Sequence, residues 1–256
     1  MVDPNNLPWH YIPVWVLITT PLQYLVLAGC GFLSAGWDIL ANFGKNLWPY
    51  RRSILIIAAW GILPVAAVIL LESVLYDGWR QLFFIYPAII LFAVLGLQAL
   101  FRWFANHLSY RVTAIVSLMV VAAVIIPPMW VMVNTHPHQN VYFNRLGGED
   151  MARVKRHFEL DYWGLSYKQG LEYILANDPF DIIDVAVANR PGRINAHILP
   201  AEQAARLHFV VDSETADYFL TNYRYHPEPY EYPDEIFSIE IGNASILSVF
   251  RLQSEN

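Results

Sequence analysis

The chain has 256 residues, 56% of them hydrophobic and only 15% charged, with a mean hydropathy of +0.34. A soluble domain carries about 25% charged residues, so a wholly soluble globular protein is excluded. The formal net charge of −6 argues against a nucleic-acid partner. The charge is also divided: residues 1–133 hold 6 basic and 4 acidic side chains, and the other 10 basic and 18 acidic ones follow. This pattern predicts a membrane half followed by an acidic soluble half. Cys30, the only cysteine, lies in an apolar run and has no internal partner for a disulfide.

In chain order, MVDPNN lacks the basic start of a signal peptide. Leu7-Pro8-Trp9-His10-Tyr11 then opens an uncharged stretch that runs to Gly36. About 20 apolar residues suffice to cross a bilayer, and in lipid only a helix satisfies every backbone group of a lone segment. The first span is therefore expected over residues 11–33, kinked at Pro21. Trp9, Tyr11 and Trp15 suit the membrane–water interface, as an aromatic belt or as a substrate-contacting head. Residues 37–48 place Leu40, Phe43 and Leu47 at helical spacing among polar side chains, which predicts a surface-lying amphipathic segment ended by Pro49-Tyr50-Arg51-Arg52. Further spans are expected over 54–71, 82–101 and 112–133, each interrupted by proline. Such prolines are tolerated when neighbours supply donors to the freed carbonyls, so the spans are read as a packed bundle.

The loop over 37–52 carries three basic residues and one acid, and that over 102–111 two basic residues and no acid. The loop over 72–80 carries one basic residue and two acids. Basic loops stay in the cytoplasm. The Trp9 head, the 72–80 loop and the soluble half are thus expected on the outer side.

Past Asn134 the pattern changes. Helices are expected over 149–158 and 165–176, and strands over 182–188, 207–211, 218–221, 236–241 and 245–252, the last two forming a hairpin about Gly242-Asn243-Ala244. About 120 such residues can bury a core of their own. The fold class is a membrane α-helical bundle of four transmembrane helices (1–133) followed by a small extracytoplasmic α/β or α+β domain (134–256).

Among the charges, Asp77 and Arg80 sit where the third span begins. Asp77 can cap that helix and pair with Arg80 three residues on. A guanidinium there can also hold a lipid phosphate through paired hydrogen bonds. His136 and His138 flank a proline without a third ligand beside them, which is too little for a metal site. Asn243-Ala244-Ser245 fits the glycosylation pattern, but a hairpin turn favours asparagine anyway. There is no phosphate-cradling glycine loop and no nucleophile elbow. No cofactor is expected, with a divalent metal left as the one open case.

Several separated words resemble bacterial family-39-type glycosyltransferases, the membrane enzymes related to protein O-mannosyltransferases and the lipid A aminoarabinose transferase. They are Leu7-Pro8-Trp9-His10-Tyr11 with Ile18-Thr19-Thr20-Pro21, Tyr76-Asp77-Gly78-Trp79-Arg80 with Phe83-Phe84-Ile85-Tyr86-Pro87, Tyr142-Phe143-Asn144 with Gly147-Gly148, and Phe158-Glu159-Leu160-Asp161-Tyr162-Trp163-Gly164 with Tyr167-Lys168. The resemblance implies transfer of a sugar from a polyprenyl-phosphate donor to a glycan, lipid or protein acceptor, in a bacterial inner membrane. It casts Arg80 as the donor-phosphate ligand, Asp77 as its orienting partner, and Trp9, His10 and Tyr11 as the lining of the sugar or acceptor entrance. No residue here matches the family's catalytic carboxylate, so a C-terminal portion of a longer enzyme is expected. The rivals are a non-catalytic membrane-anchored accessory or binding module, and a transporter subunit. Transporters place ionisable groups or broken helices at mid-membrane, whereas these spans keep their charges at the edges.

The loop charges generate a topology prediction. With Cys30 replaced by Ser, a Ser213→Cys variant should react with an impermeant thiol reagent in intact cells and a Ser109→Cys variant should not. The opposite labelling pattern would reverse the orientation.

Overall fold

The structure, a computed structural model, describes residues 7–42, 48–75 and 78–252. It divides into two compact units: Met1–Asn134 with Phe143–Gly147, and Thr135–Tyr142 with Gly148–Asn256. The chain leaves the first unit after Asn134, and residues 143–147 return to it.

In the first unit the apolar opening stretch is two helices, not one kinked span. α1 covers Tyr11–Thr19 and α2 covers Leu22–Ala41. Between them Thr20 (φ −101°, ψ 137°) and Pro21 (φ −53°, ψ 131°) are extended. Proline lacks the N–H that would continue the helix, and it drives the residue before it out of the α region. At 1.5 Å per residue, α1 is about 13 Å long and cannot cross a bilayer. The helix long and apolar enough to cross is α2, and it takes in residues 37–41 of the stretch expected to lie on the surface. The rest of that stretch, over 43–47, lies outside the described residues.

α3 (Trp48–Leu70) begins earlier than expected, because Pro49-Tyr50-Arg51-Arg52 forms its first turn instead of ending the preceding segment. Proline suits the first turn, where its missing N–H has no intrahelical role. A 3-10 turn, Arg80–Ile85, leads into α4 (Tyr86–His107), which places Pro87 at the start of the α-helix, inside the apolar stretch Arg80–His107. α5 (Tyr110–Asn134) runs through Pro127 and Pro128, and none of its side chains is buried. α2, α3, α4 with its leading turn, and α5 are each long and apolar enough to cross a membrane.

α2 and α4 meet backbone to backbone. A Cβ on Gly31 would stand 1.9 Å from the Phe92 carbonyl oxygen, and one on Gly96 would stand 2.0 Å from the Leu27 carbonyl oxygen. Helices in lipid gain no hydrophobic drive from meeting, so small residues that admit close backbone packing decide where they cross. Beside the crossing, Ala35, Ile54 and Phe92 form a buried cluster.

The second unit contains the expected helices and strands. α6 (Met151–His157) is capped by Asp150, whose carboxylate accepts from Ala152 N at 3.0 Å and Arg153 N at 3.3 Å. α7 (Tyr167–Asn177) buries Leu171, Ile174 and Leu175. β1 (Ile183–Val187), α8 (Arg190–Asn195), α9 (Ala201–Ala204), β2 (Leu207–Phe209), β3 (Tyr218–Thr221), β4 (Glu235–Ile241) and β5 (Ala244–Arg251) follow, with short 3-10 turns between some of them. The sheet order is β2-β1-β3-β5-β4, with the first three strands parallel and the last two antiparallel. The β4–β5 turn places Gly242 at φ +64°, a value glycine adopts without strain. Asn243 of that turn bonds the cap of α6, accepting from Ala152 N and donating to Asp150 Oδ1. Tyr167, Leu171, Ile183, Val185, Leu220, Leu247 and Val249 fill the core between α7 and the sheet.

The α2–α4 crossing predicts a contrast between two glycines of one helix. Gly31→Leu drives a side chain into the backbone of α4 and should destabilise by about 1–3 kcal/mol or more. Gly29, where a Cβ meets nothing within 4 Å, should accept alanine with no loss. Thermal unfolding of both variants in one detergent checks this; equal midpoints would mean that the crossing contributes nothing.

Candidate functional site

Two adjoining cavities in the first unit make the candidate site. The larger, of about 470 Å³, is an apolar groove walled by four helices: Ile12 and Val16 from α1, Ala28 and Phe32 from α2, Val65 from α3, and Phe92 from α4. Ile85, the last residue of the 3-10 turn, also lines it. The smaller, of about 250 Å³, is lined by Trp9, Tyr11, Glu72, Ser73 and Leu75 together with Ile12 and several aliphatic neighbours. Ile12 borders both cavities. An aliphatic groove thus lies beside a cavity of mixed chemistry carrying aromatic rings, a carboxylate and a hydroxyl, with Ile12 in the wall of both.

The break at Pro21 gives the groove its wall, since α1 and α2 both line it. Trp15 and Ile18 of α1 are buried. Trp79 Nε1 donates to Thr19 Oγ1 at 2.9 Å, and the Thr19 hydroxyl donates to the Trp15 carbonyl at 2.6 Å. Trp79 in turn packs on Phe83 and Tyr86, with ring centroids 4.9 and 6.1 Å away. Asn144 closes the far end of α1: its Nδ2 donates to the carbonyls of Leu17 and Thr20, each at 2.6 Å, and its N–H donates to Ile18 O at 2.8 Å.

The sequence-predicted site residues divide. Trp9 and Tyr11 line the smaller cavity, Trp9 being 70% exposed. His10 is exposed and lines neither cavity; its ring stands edge-on to Trp9 at 5.5 Å. Arg80 is half-buried at the start of the 3-10 turn and lines neither cavity. Asp77 lies outside the described residues. Glu72 and Ser73 were read only as loop residues, yet both line the smaller cavity. They mark the end of α3, where Ser73 N donates to Val68 O at 3.0 Å and Glu72 sits at φ +48°.

In the second unit His138 is buried, with Nε2 2.9 Å from Gln169 Oε1, and His136 Nδ1 lies 2.9 Å from Gln139 Nε2. Among the described residues no three His, Cys, Asp or Glu side chains group as a metal site. Asp161, 2% exposed, accepts from Asn140 Nδ2, Leu165 N, Ser166 N and Ser166 Oγ, and its backbone carbonyl accepts from Asn222 Nδ2. These bonds tie the loop before α7 to the end of β3, a structural role.

Lys155 on α6 titrates below the ordinary lysine range. Burial lowers its pKa from 10.5 to about 8, against the carboxylates of Glu235 and Glu228, which favour the charged form. Its Nζ stands 3.1 Å from the centre of the Tyr223 ring, a further attraction for the ammonium.

Compared with protein-family models, curated proteins and solved structures, the chain matches none.

The Lys155 environment predicts a pH response. Between pH 8 and 10.5 the unfolded state holds a proton that the folded state has released, so stability rises with pH across that window. Unfolding of the wild type and of Lys155→Met, followed from pH 7 to 10.5, should show the wild type gaining on the variant above pH 8. A constant difference would mean that Lys155 keeps its ordinary pKa.

Proposed function

We propose that the helical unit binds a polyprenyl-phosphate sugar donor and serves a membrane glycosyltransferase acting at the outer face. The single observation carrying this reading is the junction at Ile12 of an apolar groove and a mixed cavity. The ligand such a pair fits is amphipathic, a long hydrocarbon chain with a polar head. Ligand sites in helical bundles form between helices and are mostly apolar with a few polar groups that orient the ligand.

Arg80 stands on the 3-10 turn whose other end, Ile85, lines the groove. With a rise of about 2 Å per residue, the guanidinium is carried on backbone about 10 Å from the groove wall. A phosphate between chain and sugar needs a cation within hydrogen-bond reach of its oxygens, and a long side chain can bring one from that backbone position. Arginine answers with a planar fork for two oxygens. The words shared with family-39-type glycosyltransferases, including Trp79-Arg80 and Ile85-Tyr86-Pro87, point the same way. Trp9 and Tyr11 line the entrance for the sugar. His10 stands at the rim of that entrance. Asp77 keeps its proposed role as orienting partner of Arg80.

The test uses the chain in nanodiscs with a photoreactive polyprenyl phosphate. Crosslinks should fall on groove residues such as Phe32 and Phe92 and should be competed by unlabelled polyprenyl phosphate better than by polyprenol. Arg80→Lys should weaken binding roughly tenfold to a hundredfold, the cost of one charge-assisted contact. Labelling no stronger than that of bulk phospholipid would discard the donor and leave the accessory-module reading. Unchanged binding by Arg80→Lys would make Arg80 structural.

A further inference from the structure

Glu72 occupies a position that the backbone would give to glycine. α3 ends with Ser73 N donating to Val68 O at 3.0 Å and Glu72 N to Ile69 O at 3.4 Å, while Glu72 itself is left-handed at φ +48°. Helices that end this way usually place glycine at the left-handed residue, because a Cβ there is strained. Strain of this kind persists where surrounding structure enforces it, and it clusters at ligand sites. Here the strained residue lines the 250 Å³ cavity, together with Trp9, Tyr11 and Ser73. Among the described lining residues none is basic, and Glu72 is the sole carboxylate. Carboxylate oxygens accept hydrogen bonds and donate none, so this cavity favours a ligand rich in hydroxyl donors and repels an anionic one. Aromatic rings beside it offer apolar faces to the C–H side of a sugar.

From this cavity we infer that Glu72 binds the sugar head of the donor, and that this head is an uncharged hydroxylated ring and not an acidic sugar. The inference rests on the donor reading above. Glu72 accepts hydrogen bonds from ring hydroxyls, Trp9 and Tyr11 flank the ring, and Ile12 marks the side on which the groove that holds the chain lies. The carboxylate is a binding group here and takes part in no bond change.

The experiment measures affinity in nanodiscs for three probes: a polyprenyl phosphate, its hexosyl ester, and its hexuronosyl ester. Wild type should bind the hexosyl ester more tightly than the bare phosphate and the acidic ester least. Glu72→Gly should keep or raise the melting midpoint, because the left-handed strain is removed, yet lose the preference for the hexosyl ester by roughly tenfold to a hundredfold. Its affinity for bare polyprenyl phosphate should stay unchanged. Glu72→Gln, which keeps the shape and loses the charge, should fall between and should no longer reject the acidic ester. A sugar preference intact in Glu72→Gly overturns the assignment. So does a lowered midpoint with all three probes weakened together, which would make Glu72 structural. A wild type that binds bare phosphate and hexosyl ester alike removes the sugar site while leaving the donor reading standing; a wild type that binds none of the probes removes both.

Discussion

A proline in an apolar helix deprives the carbonyl four residues back of its donor, and much of the first unit answers that deficit. Pro21 frees Leu17 O, and Pro128 frees Val124 O. Asn144 Nδ2 donates to Leu17 O from 127 positions along the chain, and Gln23 Nε2 donates to Val124 O at 3.3 Å from 101 positions away. No water is at hand in hydrocarbon, where each orphaned carbonyl costs several kcal/mol. The two amides therefore connect distant elements at the points where regular helix fails. Asn144 does more, since it also holds Ile18 O and Thr20 O and so closes the whole end of α1. Residues 143–147 return to the helical unit for this reason.

The α2–α4 crossing complements those bonds. Hydrogen bonds fix where helices are broken; Gly31 and Gly96 fix where two unbroken ones touch. With α2 and α4 in backbone contact at this point, α1, α3 and the 3-10 turn complete the walls of the groove. Phe32 packs edge-to-face on Phe92 at 5.4 Å, and both line it. The groove thus lies between helices held in close contact, which suits a surface that must present a fixed apolar face to a chain.

Much of this was legible in the sequence, and the failures have causes. Four spanning helices follow from uncharged length, and the strands of the second unit from β-branched runs bounded by turn residues. The boundaries shifted wherever proline acts by position. Pro21 breaks, Pro49 and Pro87 begin, and Pro127 and Pro128 pass through, and no local pattern separates these cases. Gly31 and Gly96 could not be paired by eye, because their relation is a contact between helices 65 positions apart in the chain. Asn144 gave no local signal, since its acceptors lie four long helices earlier in the chain. Glu72 was hidden by an absence: the glycine that normally announces a helix end is not there, so the end of α3 read as ordinary loop. Trp9 and Tyr11 drew attention as an aromatic pair ahead of an apolar run, and both line the smaller cavity, whereas Arg80 drew attention as a charge and lines neither cavity.

The irregular backbone of the first unit gathers at one end of its helices. The extended pair Thr20-Pro21, the left-handed Glu72, Gly78 at φ +72° and the 3-10 turn follow one another around the start of the bundle. Trp15 is the common support. A Cβ on Gly78 would lie 3.5 Å from its ring, its ring centroid is 5.9 Å from that of Phe143, and its carbonyl receives the Thr19 hydroxyl that Trp79 binds. Non-helical backbone at membrane depth is tolerated where protein buries it or a cavity borders it. The aromatic core buries one side of this irregular backbone, and Glu72, Ser73 and Leu75 line the smaller cavity. Regular helix can offer a ligand side chains only at its own repeat, with every backbone group already used. By ending α3 on a strained residue and breaking the first run at Pro21, the sequence aims chosen side chains into one cavity while the glycine-packed helices keep the groove beside it unchanged.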